Sequence, residues 1–176
     1  MSQQDVTLEA LGSKHTLFYI ERNIDDAIVV YQAMRLEGKN NLVAPYVKIY
    51  WSSHSSPSDQ EPVSQKAQDM FFGVTVRKEP KQYHMCVAAL KQHKISLHLK
   101  SSGEVVAKAV IDGKESRLTK IAIHMSSSII PKVHHLTIHG MHKNQDVMQE
   151  ITVTTDMMKQ FDLKEWIPKF SDFLSL

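Results

Sequence analysis

The residues with the most obvious potential for chemistry are the ten histidines and the single cysteine, Cys86. The densest group is His134, His135, His139 and His142. On a strand His135 and His139 share a face, but four residues at ~3.3 Å each set them about 13 Å apart. Zinc needs its nitrogens about 2.0–2.1 Å away, so ligands on one strand should be two residues apart. Thr137 holds that middle position, and alternation sends His134 to the opposite face. Cys86 has no Cys-x-x-Cys partner, and no His-x-Glu pairing supports a metal. The reading is therefore no metal site and no cofactor.

Nucleophilic catalysis finds equally little. Ser126, Ser127 and Ser128 lie beside His124, yet there is no Gly-x-Ser-x-Gly elbow. The six glycines are scattered among turns and form no phosphate-cradling loop. No catalytic residue is assigned. An enzyme whose site is assembled from distant strands would leave no local motif, and it stands as the third reading.

The aromatic residues offer a different kind of site. They crowd the first half of the chain, and core packing accounts for most of them. In Tyr46-Val47-Lys48-Ile49-Tyr50-Trp51, alternation puts Tyr46 and Tyr50 on the face opposite Trp51. With both faces aromatic, one is free to line a cavity or a partner surface. Tyr31, Tyr46, Tyr50, Trp51 and Phe72 are accordingly the ligand-binding candidates. Lys14, Arg22 and Lys48 are too sparse around them to make a base-stacking platform.

The elements that would position these residues are mostly strands. Leu17 to Arg22 and Ala27 to Leu36 are β-branched and aromatic, and Asn23-Ile24-Asp25-Asp26 between them reads as a hairpin turn. A serine-rich loop over 52–60 precedes a short helix near 62–70, with Pro62 suited to its first turn. A meander follows. Ile95, Leu97 and Leu99 alternate with Ser96, His98 and Lys100. Asp112-Gly113 and Asn144-Gln145-Asp146 supply turns between apolar runs. Near the end Leu163, Ile167, Phe170 and Leu174 fall at helical spacing, which predicts a C-terminal helix over 163–174. The expectation is an all-β, mainly antiparallel domain, barrel-like or sandwich-like, with nine or ten strands. Residues 1–14 read as an N-terminal arm, and 15–176 as one domain including that helix.

Several of these segments are similar to the opening of a known family. Phe18-Tyr19-Ile20-Glu21-Arg22 resembles its Phe-Tyr-Ile-x-Arg start, and Val29-Val30-Tyr31 its Val-Val-Tyr strand. Pro45 to Trp51 resembles its Pro-x-Lys-x-Tyr-Trp strand with one extra residue after the proline. Gln65, Ala67 and Gln68 followed by Phe72-Gly73 are similar to its Gln-rich helix and aromatic-Gly exit. Ile111-Asp112-Gly113-Lys114 resembles its hairpin, and Leu136, His139 and Gly140 stand at its Leu-aromatic-Gly sequence. The family is one of small uncharacterised domains of unknown function, best known from bacteria of the Bacteroides group. The likeness spans about residues 15–152. The serine-rich loop and the histidines at 134, 135 and 139 depart from it. It implies one intact domain and transfers no activity.

Composition narrows the rest. The formal net charge of +2 is too balanced for a protein that works by neutralising phosphates, so no nucleic-acid partner is expected. No run approaches the ~20 apolar residues of a membrane span. The start of the chain lacks the basic and apolar regions of a signal peptide, and one cysteine suits a reducing compartment, so the expected location is cytoplasmic. The leading functional reading is a non-enzymatic binding module carrying a small apolar ligand in a barrel cavity. A protein–protein interaction module is the alternative.

Overall fold

The structure is a computed structural model that describes residues 15–35, 41–127, 129 and 132–152. The expected N-terminal arm, 1–14, and the expected C-terminal helix, 163–174, lie outside the described residues.

Among the described residues, alternating and β-branched runs form eleven strands. The first wing of the sheet holds β1 (Thr16–Arg22), β2 (Ala27–Arg35), β3 (Leu42–Ser53) and β4 (Glu61–Pro62). A short helix, α1 (Gln65–Ala67), continues into a π-helical turn over Gln68–Phe72. The second wing holds β5 (Val74–Lys78), β6 (Tyr83–Val87), β7 (Ile95–Leu99) and β8 (Val105–Ile111), with a 3-10 turn at Ala88–Leu90 after β6. The chain then builds β9 (Lys114–Met125), β10 (Val133–His142) and β11 (Gln145–Thr152). The helix starts later than expected. Pro62 pairs with Tyr50 at the sheet edge, and Ser64 caps the helix by accepting from the Ala67 backbone N–H at 3.1 Å.

β9 is the trunk of the fold. Its Lys120 lies between Tyr19 of β1 and His139 of β10, while its Arg117 lies between Lys108 of β8 and Met141 of β10. β1 and β8 therefore share one edge of β9, end to end, and β10 with β11 occupies the other. The sheet forks at that shared edge. The β1–β4 wing and the β8–β5 wing curl over one core as a half-barrel, and α1 with its π-helical turn links their far ends. The pairing of β1 with β9 is parallel, and the remaining ladders are antiparallel. The all-β architecture was expected, with one strand more than the upper count.

Core residues come from both wings (Phe18, Tyr31, Trp51, Leu97 and Val105), from the link between them (Phe72) and from β9 and β10 (Leu118 and Ile138). β1 is buried along nearly its whole length, since on its other face Tyr19 belongs to a second, smaller buried cluster with Ile28, Val30 and Tyr50. That two-sided burial is why β1 and β2 read as continuous apolar runs rather than alternating ones. The turns at Asp112-Gly113 and Lys143-Asn144 both place two residues at positive φ, the geometry that matches strand twist in a tight hairpin.

Candidate functional site

Past Arg117, β9 leaves β8 and takes up β1, so the start of β8 and the end of β7 diverge from β9, while the end of β8 stays paired with it through Ala109 and Ser116. A cavity of about 240 Å³ lies beside that paired end, between β7, β8, β9 and β10. Its walls are Leu90, Ile95, Ala109, Leu118, Ile121 and Ile138. Four further residues complete the lining, and of these Gln92, Lys94 and Val110 are exposed while His93 is half-buried. These four mark the mouth. Burial pushes the His93 imidazole below its usual value, which favours the neutral ring.

A second, more polar depression adjoins the first on the outer face of the β7–β8 ribbon. It is lined by Gln82, Ser96, His98, Lys108 and Glu115, and it shares Lys94, Ala109 and Val110 with the cavity. Lys108 is 3.8 Å from Glu115, so part of its charge is answered locally. Burial, with Lys108 nearby, lowers the His98 imidazole.

The face of β1, β9 and β10 turned away from the core carries a titratable network. Glu21 on β1 accepts from His54 Nε2 at 3.0 Å and from Lys120 Nζ at 3.0 Å. Burial acts to raise the Glu21 carboxyl, but those two partners outweigh it and hold the group below its ordinary value. On β10 the Thr137 hydroxyl lies within hydrogen-bond distance of two rings, 3.0 Å from His124 Nε2 and 2.9 Å from His139 Nε2. His124 stacks on His135 with centroids 4.2 Å apart. Burial and the neighbouring His135 lower the His124 imidazole, which disfavours charging the stack. His134 does not point away as alternation requires: its Nδ1 is 2.7 Å from that of His135. The register shift between Val133 and His135 explains this, since a bulge re-aims a side chain. Among the described residues no group of three or more His, Cys, Asp or Glu is placed to hold a metal ion.

The family model described as "Domain of unknown function (DUF4833)" matches residues 18–150, which run from β1 into β11 and include every wall of the cavity. The chain belongs to this family. No curated protein and no solved structure matches it.

The DUF4833 domain distributes the five aromatic candidates over three places. Tyr31, Trp51 and Phe72 pack together in the main core. Tyr31 stacks on Phe18 at 4.5 Å and donates its hydroxyl to the Phe72 carbonyl at 2.7 Å, while Trp51 meets Phe72 edge-on at 5.3 Å. Tyr50 lies on the opposite face with Tyr19. Tyr46 does not share that face: it packs against the main core, 5.4 Å from Tyr83, because its φ of 76° breaks the strand alternation. None of the five borders the 240 Å³ cavity. The cavity's own residues carried one sequence signal. Val110 alternates with the inward Ala109 and Ile111, so its register announced an outward apolar side chain, and it is 61% exposed.

Among the described residues no helix of the DUF4833 domain is long and apolar enough to cross a membrane.

Proposed function

We propose that this domain is a non-enzymatic binding module that carries a small apolar ligand in the cavity between β7, β8, β9 and β10. The observation that supports this reading is an apolar-walled space between β7, the paired end of β8, β9 and β10 whose mouth carries a few polar groups, the usual make-up of a small-molecule site. At about 30 Å³ for each water-sized group, the cavity's 240 Å³ holds about eight such groups. That suits a short hydrocarbon chain or a single ring system. In this reading Tyr31, Trp51 and Phe72 are the packed frame of one wing, and Tyr46 and Tyr50 buttress it from either side. The balanced charge and the free Cys86 support a partner other than nucleic acid and a reducing, cytoplasmic setting.

The test uses 1-octanol as a neutral probe of the cavity's size. It is expected to bind saturably to the wild-type protein, and at least tenfold more weakly to Ala109→Leu, whose added carbons occupy the space. Val110→Trp, which alters only an exposed residue, should weaken binding in the same direction. Absence of saturable binding, or equal affinity in all three proteins, would overturn the proposal and favour the interaction-module reading.

A further inference from the structure

The mouth of the cavity has a definite electrostatic character. Its polar residues, Gln92, His93 and Lys94, all offer N–H donors, and no carboxylate is among the described residues that line the cavity. Lys94 is exposed and stands between the apolar cavity and the outer depression, bordering both. Lys108 in that depression is answered by Glu115, whereas Lys94 has no ion-pair partner among the described residues. Beside it His93 is half-buried and disposed to stay neutral, so it contributes a directed donor or acceptor without charge.

We infer that the ligand is a medium-chain carboxylate, with its apolar chain between Ile95, Leu118, Ile121 and Ile138 and its carboxylate at the mouth beside the Lys94 ammonium. The inference rests on the cavity being the binding site. The chain length follows from the volume: roughly six to eight carbons fill 240 Å³ at interior packing density. The sign of the head group follows from the mouth, where one positive charge and neutral donors favour a single negative charge and disfavour an ammonium. A carboxylate suits the site better than a phosphate because one unanswered cation balances one charge. The head group stays at the water boundary, so its desolvation cost is small and the charge contribution modest.

Calorimetric titrations of the full-length protein with octanoate, octylammonium, octyl phosphate and 1-octanol separate the possibilities. Octanoate is expected to bind about tenfold more tightly than octylammonium at low salt, and the gap should narrow as salt rises. Lys94→Gln should weaken octanoate about three- to tenfold while leaving 1-octanol within about twofold. Lys94→Glu should reverse the order of octanoate and octylammonium. Lys94 is exposed and outside the core, so both variants are expected to fold. Saturable 1-octanol binding with equal octanoate and octylammonium affinities would overturn the carboxylate inference and leave the cavity reading intact. Tighter binding of octyl phosphate would overturn the choice of head group. Failure of all four ligands would overturn both readings.

Discussion

Leu97→Ala probes whether β7 is placed as described. Leu97 is 0% exposed, and on the strand it lies between Tyr83 of β6 and Ala107 of β8. Truncating a leucine in so enclosed a position loses its transfer free energy and leaves a void, for a cost of about 2–5 kcal/mol. The next residue, His98, faces the outer depression and is half-buried, with Lys108 and Ser96 as neighbours there. His98→Ala should cost about 0.5 kcal/mol or less. Urea denaturation checks both. With a slope of about 2 kcal/mol/M, Leu97→Ala should lower the midpoint by about 1–2.5 M and His98→Ala by about 0.25 M. Equal shifts, or a larger one for His98→Ala, would refute the register of the β6–β7–β8 ladder and with it the cavity wall that begins at Ile95.

Two further outcomes follow from the same geometry. Glu21 is held below its ordinary value in the fold, so its contribution is fully present above the unfolded carboxyl value and is lost as pH falls through the folded one. Glu21→Gln should therefore cost about 1–3 kcal/mol near pH 7, and its gap to wild type should close as pH drops below about 4.3; urea midpoints that keep a constant gap from pH 7 to pH 3 would contradict this. Gly140 sits where an added Cβ would overlap the Arg117 carbonyl oxygen and the Ile111 side chain, so Gly140→Ala should lower stability by about 1–3 kcal/mol in thermal melts, and an unchanged melt would show that β9 and β10 are further apart than described.

Local signals carried much of this fold in the sequence. The period of two in Ile95–Leu99 places Ile95 and Leu97 in the core as expected, with Leu99 packed against it. The Asp112-Gly113 turn lies where its residue types put it. Features that depend on distant partners were not legible. Tyr19 pairs with Lys120 in a parallel ladder, and nothing near either residue announces the other. The fork of the sheet is a consequence of that pairing. Single-residue breaks in the backbone pattern defeated the face assignments as well. The positive φ at Tyr46 turns its ring to the core, and the bulge before His135 swings His134 toward its neighbour. Pro62 suits a helix start by residue type, but the edge pairing with Tyr50 that claims it leaves no local signal in the sequence.

The histidine face illustrates why residue type alone misleads about chemistry. Thr137 divides its hydroxyl between two rings, and Glu21 spends its oxygens on His54 and Lys120, so the polar groups mainly satisfy one another. Such closed networks rigidify the part of the sheet that carries them. The cavity contrasts with this: its walls are apolar, and Lys94 at its mouth has no ion-pair partner among the described residues.

The most direct test of the ligand-carrier account is methyl NMR of the isotope-labelled protein during titration with 1-octanol. The account predicts saturable shift changes concentrated on the methyl groups of Leu90, Ile95, Leu118, Ile121 and Ile138, with those of Val29 on β2 and Val63 just after β4 unmoved. Shifts confined to surface methyls such as Met148, or no saturable shift at any cavity methyl, would contradict it.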